Sequence, residues 1–294
     1  MTVTAIEIGA MRHAIAISAL GLGSTSPNPP VGCIILDRDG HVAGMGYHRR
    51  KGEAHAEANA LAAAGARAAG GTAAVTLEPC NHHGRTPPCH QALIDAGIKR
   101  VLIALIDPTS RGVGGVARLR DASVDVEVGV LADEALVVLG PWLEALESGR
   151  PRVRWVYEAG PEGPRAVPDD LLTSTGLRFS VDSLLRADGR VEEGIPGAHG
   201  EAVFAPPDTL SPADAETALT SLYSRGVRSL LLHGGLELAE PFLRQQLVDG
   251  VSVLVPATGS SAPMRTAHDL LPPAFRILSV TSLRTGVVLH GTPN

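Results

Sequence analysis

Thr72-Ala-Ala-Val-Thr-Leu77, followed at once by Glu78-Pro79-Cys80, reads as a buried strand that ends in a proline and a thiol. Upstream, His55-Ala56-Glu57 opens an alanine-rich run to Ala68 with helical composition, so a histidine and an acid stand at a helix start. Downstream, a proline-rich loop leads to Cys89, separated from Cys80 by eight residues, where the next helix, to about Ala96, is expected. Helix, strand and helix each present one soft ligand at an end. A hydrolytic zinc site needs three protein ligands and an open position, and His55, Cys80 and Cys89 supply one imidazole and two thiolates. Zinc lowers the pKa of bound water from 15.7 to about 7. Glu57 sits two residues beyond the histidine, placed to move a proton without joining the ligands, as a general acid and base. Each fragment occurs widely by chance; the joint pattern is specific for a hydrolytic zinc site with a proton-shuttling acid, as a zinc-dependent deaminase requires.

Working outward, residues 5–20 have helical spacing, and the prolines at 27, 29 and 30 then impose a rigid loop. Val31–Leu36 and His41–Tyr47 flank Asp37-Arg-Asp-Gly40 as a hairpin. Strands at 73–77 and 100–105 and a helix near 131–147 complete an α/β pattern. Turn residues cluster at Ser148-Gly-Arg-Pro151, which divides the chain into domains 1–149 and 150–294. The second half predicts strands near 152–157, 228–232 and 251–255 and helices near 212–224 and 236–247, again α/β. Residues 160–200, rich in glycine, proline and charge, resist assignment.

Bulk properties set limits. The 294 residues suit two domains, and 44% hydrophobic content is ample for globular cores. A net charge of −6 gives no basic footprint, so nucleic acid is not an expected partner. Glu7, Arg12 and His13 interrupt the N-terminal apolar stretch, and no run has the length to span a bilayer, so the expectation is a cytoplasmic protein without membrane contact. Three cysteines argue against a disulfide framework; Cys33, within an apolar strand, reads as a core residue.

The chain resembles the bifunctional deaminase/reductase family of riboflavin biosynthesis. Thr25-Ser-Pro-Asn-Pro-Pro-Val-Gly32, Gly52-Glu-Ala-His-Ala-Glu57, Val75-Thr-Leu-Glu-Pro-Cys80, His82 with Gly84-Arg-Thr-Pro-Pro-Cys89, and Asp107-Pro108 carry the resemblance across the first domain. It implies a cytidine-deaminase-like α/β/α domain followed by a reductase-like α/β domain. The implied substrate is a 2,5-diamino-6-(ribosylamino)pyrimidinone 5′-phosphate, a small pyrimidine ribotide, deaminated at ring carbon C2. It also implies that Asn28 orients the ring while His48, His82, Arg85 and Asp107 line the ribose and phosphate end. His83 reads as a loop residue.

The second half departs from the family. Its first strand, 152–157, lacks the family lysine and runs into Glu158-Ala-Gly-Pro-Glu-Gly-Pro164 in place of the usual Ser-Leu-Asp-Gly-type turn. Asp188-Gly189-Arg190 lies too far along to replace that turn. Ser229-Leu-Leu-Leu-His-Gly-Gly235 resembles the glycine-rich turn near the nucleotide phosphates, making Gly234 and Gly235 the cofactor-binding candidates, with His233 where the family has glutamate. The expectation is a deaminase whose reductase half is degenerate, with NADPH needed only if that half is active. Three alternatives stay open: the full bifunctional enzyme, a deaminase recruited to another amino-pyrimidine or pterin-like ring, and a binding module with structural zinc. Self-association into a homo-oligomer is expected.

Overall fold

The computed structural model describes residues 2–82, 87–109, 114–199, 214–257, 270–284 and 286–294. The chain divides into two compact units, Met1–Gly140 and Pro141–Asn294. That division falls inside one helix, upstream of the turn cluster at 148–151.

In the first unit, α1 (Ala5–Ser18) precedes the hairpin β1 (Gly32–Leu36) and β2 (Val42–Tyr47), then α2 (Ala56–Ala64) and β3 (Thr72–Leu77). After these come α3 (Cys89–Asp95), β4 (Arg100–Leu105), α4 (Gly115–Asp121), β5 (Asp125–Val128) and α5 (Ala132–Ser148). The sheet order is β2-β1-β3-β4-β5; β1 pairs antiparallel with β2 and β3, whereas β3, β4 and β5 are parallel. Strand side chains alternate between faces. Ile34, Leu36, Ala74, Leu102 and Ala104 pack with Ala10, Met11 and Ala14 of α1 and Ala135 of α5. Cys33, Ile35, Ala73, Val75, Val101 and Ile103 pack with Ala56, Ala60 and Ala64 of α2, Leu93 of α3 and Leu119 of α4. The result is the expected α/β/α layering. The helical run from 56 closes its last turn, Gly65–Ala68, as a 3-10 helix. Neither α4 nor β5 was foreseen from the sequence.

Alanine and glycine bring α2 unusually close to the hairpin. A Cβ on Gly46 would stand 2.4 Å from Ala60 N and 2.5 Å from Ala56 O, so any side chain there would push the helix off the sheet. That contact sets the height of the α2 N-terminus, where His55 is the N-cap residue.

Glu7 has a second use besides interrupting the apolar stretch. Thr4 N donates to Glu7 Oε2 at 2.8 Å and Glu7 N to Thr4 Oγ1 at 3.3 Å, a capping box on α1, while Arg100 Nε donates to Glu7 Oε1 at 2.7 Å. Burial pushes the Glu7 pKa up, but the Thr4 bonds and Arg100 outweigh it and hold the carboxyl below its ordinary value. A carboxyl with a depressed folded-state pKa stabilises above its unfolded value, about 4.3, and loses that contribution as pH falls through the folded value. Glu7→Gln is therefore expected to be less stable than the parent at pH 7, with the gap closing below about pH 4 in urea titrations at stepped pH. A constant gap across that range would contradict the assignment.

The second unit is built on β6 (Arg152–Glu158), α6 (Asp169–Ser174), β7 (Ser183–Arg186), β8 (Val191–Glu193), α7 (Ala215–Ser224) and β9 (Ser229–His233). It continues with α8 (Leu236–Arg244), β10 (Gly250–Pro256), β11 (Phe275–Leu283) and β12 (Gly286–Pro293). Strand order is β11-β12-β10-β6-β9-β7-β8, with β10, β6, β9 and β7 mutually parallel. Val153, Trp155, Leu230, Leu232, Val251 and Val253 face Leu219 and Leu222 of α7 and Leu238 and Phe242 of α8. Val156, Leu231, Leu254 and Val288 face Leu172 and Leu177. The strands expected near 152, 228 and 251 and the helix expected near 236 are present, the helix expected near 212–224 is found as α7 from Ala215, and the unassigned 160–200 stretch contributes α6, β7 and β8. No helix among the described residues is long and apolar enough to cross a membrane.

Candidate active site

The three metal-ligand candidates come together at the carboxyl end of β3. His55 caps α2, Cys80 lies three residues past the end of β3, and Cys89 begins α3. His55 Nδ1 is 3.7 Å from Cys80 Sγ and 3.4 Å from Cys89 Sγ, and the ligand atoms of all three lie within 4.8 Å of one another. Cys89 N donates to Cys80 Sγ at 3.4 Å. Of the two thiols Cys80 ionises first, held low by its hydrogen bond with Cys89 and then by His55, while sharing with Cys80 and burial push Cys89 up. His55 is in turn raised, chiefly by its bond with Cys80. One imidazole and two sulfurs, one of them already drawn toward thiolate, fit zinc with its fourth position open.

Glu57, in the first turn of α2, is only 3% exposed. Burial raises its pKa to about 7, against the opposing pull of His55. Cys33, fully buried on β1, stays outside the ligand group, and burial and Glu57 push its thiol up.

Of the other expected contacts, His48 and His82 lie beside His55, and Asn28 is linked to the cluster through His48. Asn28 is half-buried and His48 buried, and Asn28 Nδ2 lies 3.2 Å from His48 Nε2. The ring centroids of His48 and His82 stand 5.3 and 6.3 Å from that of His55. Asp107, just past β4 and 8% exposed, accepts from Thr109 N at 2.7 Å. Arg85 and His83 lie outside the described residues.

Two supports were missed from sequence. Glu78 Oε1 accepts from Gly114 N at 3.2 Å and Val116 N at 2.9 Å, tying the start of α4 to the segment that bears Cys80. Gly115 completes that clamp, since a Cβ there would stand 1.9 Å from Pro79 O. His90 Nδ1 donates to Cys80 O at 3.1 Å. The Glu78 carboxylate was visible in the motif, but only the fold reveals which amides it meets.

In the second unit, the parallel strands β6, β9 and β7 end at Glu158, His233 and Arg186. Ligands of parallel α/β sheets bind at such carboxyl ends. Here Arg186 Nη1 donates to Asp169 Oδ1 and His233 Nδ1, both at 2.6 Å, and Arg186 Nη2 donates to Glu192 Oε2 at 2.9 Å. His233 Nε2 donates to Val167 O at 2.7 Å, and Arg165 pairs with buried Glu158. Gly234 O accepts from Trp155 Nε1 at 2.9 Å, and a Cβ on Gly235 would meet Pro164 O at 3.0 Å.

Residues 7–105 match the cytidine and deoxycytidylate deaminase zinc-binding region, and residues 160–289 match the RibD C-terminal domain. The riboflavin biosynthesis protein RibD of Mycobacterium tuberculosis is 33% identical over 300 residues, covering 89% of this chain and 88% of that protein. The chain belongs to the RibD family. RibD of Escherichia coli is 43% identical over 181 residues, 60% of this chain and 49% of that protein. A solved RibD-type structure, the diaminohydroxyphosphoribosylaminopyrimidine deaminase/5-amino-6-(5-phosphoribosylamino)uracil reductase of Thermotoga maritima, is 26% identical. It covers 98% of this chain and 99% of that one with a TM-score of 0.78. This RibD-family chain is a zinc-dependent hydrolytic deaminase of riboflavin biosynthesis, with a cytidine-deaminase-like domain and a RibD reductase-type domain.

Proposed function

We propose that the substrate is 2,5-diamino-6-(5-phosphoribosylamino)pyrimidin-4-one, the class named for the Thermotoga relative, and that the second unit does not reduce the product. The first part rests on the juxtaposition of His55, Cys80 and Cys89, ligand atoms within 4.8 Å, with buried Glu57 in the same helical turn. His55, Cys80 and Cys89 would hold zinc; when bound, the ion supplies Lewis acidity that makes water at its open position acidic. Glu57 takes a proton from the attacking water and delivers it to the departing nitrogen. The water oxygen bonds to ring C2, the C2–N bond breaks, and ammonia leaves. A carboxyl poised near neutrality can serve in both directions at pH 7. Asn28 would meet the ring edge, and His82 and Asp107, with Arg85 outside the described residues, would bind the ribose and phosphate.

The second part rests on Arg186 and its partners. They occupy the carboxyl ends of the strands where a nucleotide would enter, and the family lysine is missing from β6. The expected result is ammonia release from the ribotide by the zinc-loaded protein, with no NADPH oxidation when the deaminated product accumulates and no NADPH binding by calorimetry. Stoichiometric NADPH oxidation would establish the bifunctional enzyme instead. The protein acts in the cytoplasm on a small molecule, without nucleic acid, and as a homo-oligomer; sedimentation as a monomer would overturn the last point.

A further inference from the structure

His48 uses both ring nitrogens within the protein. Nδ1 lies 3.1 Å from Ala54 O, and a carbonyl oxygen only accepts, so Nδ1 carries the proton. Ala54 O also accepts from Asn59 Nδ2 at 3.2 Å, which anchors it beside the α2 N-cap. His48 is 3% exposed, so its ring is held in place by these contacts. The charged or titratable groups around it are His55, whose ring centroid is 5.3 Å away, and Glu53. Nε2 faces an amide nitrogen, which only donates, so Nε2 is the acceptor. Its neighbour 3.2 Å away is the Asn28 amide, which must donate through Nδ2.

That choice orients the amide. Asn28 Oδ1 has no hydrogen-bond partner among the described residues and is the atom left for substrate. We infer that His48 is a positioning residue that fixes Asn28 as a hydrogen-bond acceptor, so that the site selects a ring edge presenting N–H over one presenting a bare ring nitrogen. This assigns His48 a role different from lining the ribose and phosphate end. A lactam-type pyrimidinone carries such an N–H, whereas a cytosine-type ring offers an unprotonated nitrogen. The inference rests on the reading that Asn28 meets the ring.

The test uses the zinc-loaded full chain, with ¹⁵N-labelled histidine and ammonia-release kinetics on the pyrimidinone ribotide. His48 should give a protonated Nδ1 and a pyridine-type Nε2 at pH 7. His48→Leu, with one zinc retained per chain, should lower kcat/KM by about 10²-fold, the scale of a misplaced contact. His48→Gln, whose amide can both donate to Ala54 O and accept from Asn28, should recover most of that loss. A protonated Nε2, or a Gln variant as impaired as the Leu variant, would overturn the inference. Undiminished kcat/KM in Asn28→Ala would overturn it through the underlying reading, and the expected tautomer signal would then identify ring contact, not orientation, as the failed step.

Discussion

Replacing Glu57 with glutamine is expected to leave one zinc per chain and to lower ammonia release by about 10²- to 10⁴-fold, the usual contribution of a positioned general acid and base. Glutamine has nearly the same shape, so packing around this 3%-exposed side chain should persist. What disappears is a group that can accept and return a proton. Glu57 is separate from the three gathered ligand candidates, so metal content and activity should part company in this variant. Zinc analysis beside ammonia release reads both, and a variant that still deaminates at the parent rate would remove Glu57 from the mechanism.

Cys80→Ala should do the opposite and lose both together. Cys80 Sγ is the thiol most readily ionised, and its loss leaves one imidazole and one thiol for the metal. Ammonia release is expected to fall to the buffer rate, as it should in parent protein stripped by a chelator. Ligand binding to the folded state stabilises by about 2.7 kcal/mol at a free concentration 100 times the dissociation constant. The parent should therefore melt at a higher temperature with zinc than with chelator, while the variant should lose that difference. A Cys80→Ala protein that binds zinc stoichiometrically and remains active would show the ligand set to be wrong.

How much of this was legible depends on how local each signal is. Alternating apolar strands and the alanine helix after His55 declared themselves, because burial periodicity and propensity act over a few residues. The three candidate ligands could be named because zinc chemistry restricts residue type as well as spacing, and the structure gathers their ligand atoms within 4.8 Å of one another. β7 and β8 were not, since Ser183-Leu-Leu-Arg186 and Val191-Glu-Glu193 are short and charged, and sheet pairing decides them. Likewise α4 is seven residues long and owes its place to Glu78 and Gly115, contacts distant in sequence. The orientation of Asn28 depends on His48 and Ala54, which no spacing rule connects.

The arrangement around Arg186 also bears on what this lineage can become. If the second unit is silent, mutating Arg186 alone would not reopen it, because Asp169 would lose its cation and His233 Nδ1 its donor, while Glu192 would stay paired with Arg178 and Arg190. Intermediate genotypes would leave the buried His233 Nδ1 without its donor before any nucleotide contact was regained. Loss of reduction would then be an evolutionary ratchet, and a cell bearing this gene would depend on a separately encoded reductase to keep making flavin.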